Sequence, residues 1–251
     1  MKRVGLTATL TTLTVASVLA QRGPAPAPTA LPPDVIALAC APSAITSAPS
    51  HSLRVTGGQA PVERRNFAPG DLVTINAGTD HGIEVGQEFF ARRVQSERGQ
   101  TPSLATPAAV RTSGWLKVYA VDDELSLATV SHACDTIRPD DYLEPFAAPV
   151  VPAAHAVVAP AQKSNYARIL FGADRRKAFA QGDFVVIDHG SDHGISAGAR
   201  FVVYHDRKLS ENFLYEAGEA VALTVKADSA TLKVTRASSA LLAGDYVALR
   251  K

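Results

Sequence analysis

The chain has 251 residues, 25 of them Lys or Arg and 24 Asp or Glu, for a formal net charge of +1. Nucleic-acid proteins usually show a strong basic excess, so no nucleic-acid partner is expected. With 17 Gly and 16 Pro against a single Met, the composition predicts many turns and few long helices.

Residues 1–20, MKRVGLTATLTTLTVASVLA, read as a secretory signal peptide. Lys2 and Arg3 give a basic start, an apolar, Thr-diluted run follows, and Val18-Leu19-Ala20 before Gln21 fits a cleavage site. A retained N-terminal anchor is the alternative. No later stretch reaches the ~18 apolar residues of a membrane helix. The expectation is an exported chain, periplasmic or envelope-associated, with no integral membrane segment after cleavage.

Residues 21–50 form a Pro/Ala-rich tether and lead-in, beginning QRGPAPAPTALPP. Cys40 lies here, in IALACAP. Ala37 stands three residues before it, far from the basic start, which speaks against a lipoprotein cysteine. The other cysteine is Cys134. Two cysteines in an exported chain predict a Cys40–Cys134 disulfide. Chain-entropy reasoning makes so long a loop worth about 4–5 kcal/mol before native strain is subtracted. No Cys-x-x-Cys is present, so the bridge reads as structural rather than redox-active.

Residues 51–146 and 164–251 repeat each other. FAPGDLVTINAGTDHGIEVGQEF (Phe67–Phe89) aligns without gaps to FAQGDFVVIDHGSDHGISAGARF (Phe179–Phe201). Downstream, Gly114 matches Gly218, Val121 matches Val225, and Asp141-Tyr142 matches Asp245-Tyr246. The first repeat therefore carries extra residues within Gln95–Thr112, a polar stretch that reads as a hairpin tip. So long a period means duplicated domains rather than a solenoid. Between them, AAPVVPAAHAVVAPAQK (147–163) reads as an extended, semi-rigid linker.

Within each repeat the apolar period is two. TLKVTRA (Thr231–Ala237) alternates strictly, and WLKVYAV (Trp115–Val121) sets Leu116 and Val118 opposite Trp115, Lys117 and Tyr119. LVTIN, EFFARRV, FVVID and RFVVYHD are short β-branched or aromatic runs bounded by Gly and Asp. The predicted fold class is all-β: two tandem small barrel or sandwich modules of about five or six strands each, since closure limits exposed edges.

The shared Asp-His-Gly-Ile-x-x-Gly poses the main question of chemistry. It predicts a turn at Asp80, His81, Gly82 and Gly86, and again at Asp192, His193, Gly194 and Gly198. The glycines supply φ > 0, and Asp80 and Asp192 accept backbone N–H groups two residues on. Ile83 and Ile195 then plug a barrel end. A partner contact is the second reading. Metal binding or hydrolysis through His81 and His193 is the third, and it would need both turns to meet, because a catalytic zinc usually has three protein ligands.

The run GDLVTINAGTDHGIEVGQEFFARR…GWLKVYAVDDELSLATV…IRPDDYLEPF, matched in the second repeat, resembles the C-terminal domain of flagellar assembly protein T. It is similar also to modules found beside LysM peptidoglycan-binding domains and in curli-secretion-type proteins. The resemblance implies a non-catalytic part of an envelope assembly, binding an envelope protein or a cell-wall polymer. No LysM repeat accompanies the modules here.

Basic residues precede the Phe-Ala-x-Gly-Asp entry of both repeats: Arg64 and Arg65, then Arg175, Arg176 and Lys177; Arg92 and Arg93 follow in EFFARRV. Arg forks suit phosphate or carboxylate, so a duplicated anion or partner contact is one reading. A solvated loop countered by Glu63 or Asp174 is the other. Asp122, Asp123 and Glu124 form an acidic hairpin tip, and Trp115 is expected to pack on a barrel face. No nucleophile elbow is present. The functional expectation is a non-enzymatic scaffold without cofactor, a self-assembling repeat protein being the alternative.

Overall fold

Short β-branched runs punctuated by Gly-Asp turns fold here as antiparallel strands. The computed structural model describes residues 31–59, 64–95, 102–103, 105–156, 166–173, 176–206 and 214–250. The expected signal segment lies outside the described residues, as do Glu63, Asp174, Arg175 and parts of the linker and of the Gln95–Thr112 stretch. From Pro32 onward the described residues form one compact unit.

A seven-residue helix α1 (Pro33–Ala39) comes first, with Pro at its start and Asp34 in its first turn, both favourable there. The lead-in then contributes β1 (Ser43–Ile45), and the first repeat β2 (Val55–Gly58), β3 (Leu72–Ile75), β4 (Glu88–Gln95), β5 (Ala108–Val121), β6 (Ser126–Ala133) and β7 (Tyr142–Pro145). The second contributes β8 (Ala167–Gly172), β9 (Ala178–Phe179), β10 (Phe184–Ile187), β11 (Arg200–Asp206), β12 (Leu214–Val225), β13 (Ala230–Ala237), β14 (Leu241–Leu242) and β15 (Tyr246–Leu249). β5 begins at Ala108, well before the Trp115 that the alternation marked as a strand start.

The second repeat closes into a six-stranded barrel, β10-β13-β12-β11-β15-β8, with β8 returning to β10. The first forms a seven-stranded sheet in the equivalent order, β2-β3-β6-β5-β4-β7, with β1 added to β5. Its two ends also meet. Arg54, just ahead of β2, bridges Tyr142 of β7, and the Val55 N–H donates to the Asp141 carbonyl at 3.0 Å. Alternation fills the interiors. Val73, Ile75, Phe89, Leu116, Val118, Val130 and Leu143 pack in one core, and Val185, Ile187, Phe201, Val203, Leu232, Val234 and Val247 in the other. Each such side chain, fully buried, contributes about 1.5–3 kcal/mol.

Four turns of one construction close the chain between strands: Ala68–Asp71, Arg138–Asp141, Ala180–Asp183 and Leu242–Asp245. In each, the Asp N–H donates to the carbonyl three residues back, and the Asp carboxylate accepts the N–H of that same residue. The residue before Asp has positive φ; three times it is Gly, and once it is Asp140 at φ 69°. Alternating the partners, Val130, Val55, Val234 and Ile169 each exchange two backbone hydrogen bonds with one turn. Phe67 and Ile137, and likewise Phe179 and Leu241, pair beneath them.

The lead-in departs from a simple tether. β1 pairs with β5 and also lies against β13. Cys40 and Cys134 are disulfide-bonded with Cα atoms 5.5 Å apart, which ties the lead-in to the first sheet. Thr231 Oγ1 donates to the Pro42 carbonyl at 2.8 Å, and Lys226 Nζ to the Ala44 carbonyl at 2.7 Å, which ties it to the second barrel. Leu38, Ala39, Ala44, Ala108 and Val110 are buried outside both of these cores. Residues 38–45 thus act as a layer shared by the two repeats. Sequence reading missed this because three strand residues and seven helical ones carry too few positions for a period. Among the described linker residues, 147–156 hold no helix or strand. His155 pins them, its N–H donating to the Gly198 carbonyl at 2.7 Å and its carbonyl accepting from Arg200.

Candidate functional site

The two Asp-His-Gly turns have the same geometry. Thr79–His81 and Ser191–His193 are single 3-10 turns, followed by left-handed Gly82 (φ 73°) and Gly194 (φ 75°). Gly86 and Gly198 are also left-handed, while the preceding Gly78 and Gly190 are extended. Close approach explains the latter pair: a Cβ on Gly78 would sit 2.0 Å from the Asp122 carbonyl oxygen, and one on Gly190 2.1 Å from that of Lys226. The turns dock there, with the N–H groups of Thr79 and Asp80 donating to Asp122 and Asp123, and those of Ser191 and Asp192 to Lys226 and Ala227. The expected Asx bond does not form: the Gly82 and Gly194 N–H groups go to the carbonyls of Thr79 and Ser191. Ile83 and Ile195 enter the two cores.

Asp80, His81, Asp192 and His193 are exposed. His193 packs against His189 with ring centroids 3.9 Å apart, and His189 Nδ1 lies 2.9 Å from Asp188 Oδ1. Desolvation pushes the Asp188 carboxyl up, but His189, the Arg168 N–H and the charge on His189 outweigh it and hold it below its ordinary value. Asn76 occupies the equivalent place and does the same backbone work, accepting the Arg54 N–H at 2.6 Å as Asp188 accepts that of Arg168 at 2.7 Å. Among the described residues, neither His81 nor His193 belongs to a group of three or more metal-ligating side chains.

Among the described residues, Arg64, Arg92, Arg93 and Arg176 pair with carboxylates of the same chain. Arg64 grips Asp71 and Arg176 grips Asp183, each with two hydrogen bonds. The counter-charge is thus the Asp of the Gly-Asp turn, seven residues on in both repeats; that constant spacing was the available signal. The Ala68 N–H, against desolvation and with help from Arg64, holds the Asp71 carboxyl below its ordinary value. Arg92 pairs with Glu144 at 2.8 Å and lies over the Phe90 ring. Arg93 grips fully buried Asp141 at 2.7 and 2.8 Å. Burial pushes that carboxyl up against the pull of Arg93 and the Arg138 N–H. In the second repeat the same place holds His205, 2.7 Å from buried Asp245. Lys177 is exposed, and its carbonyl accepts from Ala243. Trp115 is buried on the outside of the first sheet, stacked on His132 and packed by Phe90 and Phe146.

The barrel ends that carry these turns differ most. In the second repeat the end is covered: Ser229 and Thr231 are 4% and 3% exposed, and Thr231 bonds the lead-in. Desolvation, with the Arg92 charge nearby, pushes the Lys226 ammonium below its ordinary value, against the pull of Asp228 and Glu144. In the first repeat, Asp122, Leu125 and Leu127 take the places of Lys226, Ser229 and Thr231. Leu125 is 52% exposed and the neighbouring acidic residues are exposed. Tyr119, set outward by a β-bulge, is 68% exposed, and Val85 beside left-handed Gly86 is 67% exposed. The equivalent bulge in β12 falls at half-buried Leu223. No protein-family model matches the chain, and no curated protein matches it.

Proposed function

We propose that the protein is a non-enzymatic, exported scaffold of the bacterial cell envelope. Two copies of one small barrel, joined by the 147–163 linker and fixed by the lead-in, hold the end of the first copy open to an envelope protein. The observation that carries this reading is the contrast between equivalent ends. One is covered by the chain's own residues 42–44, while the other presents Val85, Tyr119 and Leu125 inside an acidic rim. Exposed apolar patches rimmed by polar groups mark interaction sites, and aromatic anchors dominate their energetics. The disulfide supports export, since such bonds persist in oxidising compartments. The resemblance to flagellar, LysM-associated and curli-type modules supports the envelope.

Photo-crosslinking in cells from position 119, with position 223 as its internal control, tests the proposal. One dominant exported protein captured from 119 and only intramolecular adducts from 223 is the expected result. Equal capture from both positions would sink it. Self-adducts from 119 would instead favour end-to-end assembly of copies. That second reading has its own support: the lead-in, paired with β5 of the first repeat, already covers one end of the second, and a head-to-tail contact of that kind can propagate.

A further inference from the structure

Three soft donors meet at the disulfide. The sulfurs of Cys40 and Cys134 and a ring nitrogen of His132 all lie within 4.8 Å of one another. His132 stands on β6 with its ring stacked on Trp115, centroids 4.3 Å apart and planes 18° from parallel, which fixes its orientation. Cys134 lies two residues on, just past the end of β6, its N–H donating to the Ser113 carbonyl at 3.0 Å. Cys40 caps α1, its N–H bonded to the Ile36 carbonyl. Both cysteines line a cleft of about 120 Å³ with Pro42, Arg111 and Gly172. The cleft gives a small reductant and an ion a route in. Arg111 lines the same cleft, with its charge paired to Asp135 at 3.2 Å.

We infer that, once this disulfide is reduced, Cys40, Cys134 and His132 form a three-ligand site for a thiophilic cation, Zn²⁺ or Cu⁺, with one position open. A dithiol supplies the two electrons and two protons: the S–S bond breaks, two thiols form, and the dithiol leaves as its own disulfide. Ion binding then releases both thiol protons to solvent. Bonds of 2.0–2.3 Å in tetrahedral geometry separate donors by about 3.5–3.8 Å. The sulfurs therefore move apart, and the imidazole closes by at most about 1 Å, since no donor pair exceeds 4.8 Å. Two thiolates and an imidazole select soft and borderline ions over Mg²⁺ or Ca²⁺. The bound ion keeps the lead-in tied to the first sheet when the covalent bond is gone.

The test uses the exported chain, reduced with a phosphine, desalted without oxygen and titrated with Co²⁺. One equivalent should give a near-ultraviolet thiolate charge-transfer band and tetrahedral visible bands, both displaced by Zn²⁺. The oxidised chain should give neither. His132→Ala should keep the charge-transfer band and weaken binding at least about tenfold, with a shift of the visible bands. His81→Ala should bind as the parent does. Cys40→Ser, checked by circular dichroism, should stay folded and lose the site, which separates ligand loss from unfolding. A reduced chain with no saturable band, folded or unfolded, overturns the inference. So does a His132→Ala chain that binds as tightly, with the same spectrum.

Discussion

The two repeats fold alike where they share residues and diverge at the ends that carry the Asp-His-Gly turns. Turn glycines, Gly-Asp turns and core positions coincide, and they build the same strand order twice. The ends do not coincide. Repeat two buries Ser229 and Thr231, and Thr231 bonds the lead-in, whereas repeat one leaves Leu125 and Tyr119 in solvent. Thr231 stands at the covered end, where its hydroxyl satisfies the Pro42 carbonyl, and apolar residues stand at the open one. That inversion of the usual burial rule is what the proposed partner surface rests on.

The comparison breaks most severely where the lead-in is untied. Cys40→Ser should destabilise the fold by about 2–5 kcal/mol, read as a lower denaturant midpoint. Amide exchange should rise at residues 40–45 and 226–231 far more than in the remaining strands of the sheet and the barrel. Adding a methyl at a docked turn comes next. Gly78→Ala and Gly190→Ala each force a carbonyl aside and should cost about 3 kcal/mol by chemical denaturation, whereas His81→Asn should stay within about 0.5 kcal/mol. Thr231→Val removes one buried donor and leaves the Pro42 carbonyl unpaired. It should cost about 1–2 kcal/mol, while Leu127→Val at the equivalent open position should cost less.

The smallest effect sharpens the comparison electrostatically. The folded Asp188 carboxyl titrates below its unfolded value of 3.8. Its stabilisation is therefore complete above that value and is lost as pH falls through the folded one. Asp188→Asn copies the natural Asn76 of repeat one. It should fold as the parent does at neutral pH and flatten the loss of stability below about pH 4. An unchanged acid limb would remove Asp188 from the account.

Much of this was legible in the residues. Period-two alternation and repeated Gly-Asp and Asp-His-Gly strings announce strands, turns and duplication, because those signals are local. The Cys40–Cys134 bond followed from compartment and count. What escaped depends on contacts far apart in sequence. The Arg93–Asp141 pair and its His205–Asp245 replacement span β4 and β7 or β11 and β15. The lead-in reaches Lys226 and Thr231 across more than half of the chain. The open end was hidden for a related reason: Tyr119 and Leu125 read as strand residues until the burial of Thr231 shows what their counterparts do.

Side-chain footprinting with hydroxyl radicals tests the central claim most directly, performed on the purified chain and again within the cell envelope. The account predicts strong labelling of Tyr119 and Leu125 in the purified chain, weak labelling of Leu223, and protection of Tyr119 and Leu125 in the envelope. Equal labelling of Tyr119 in both settings would contradict it.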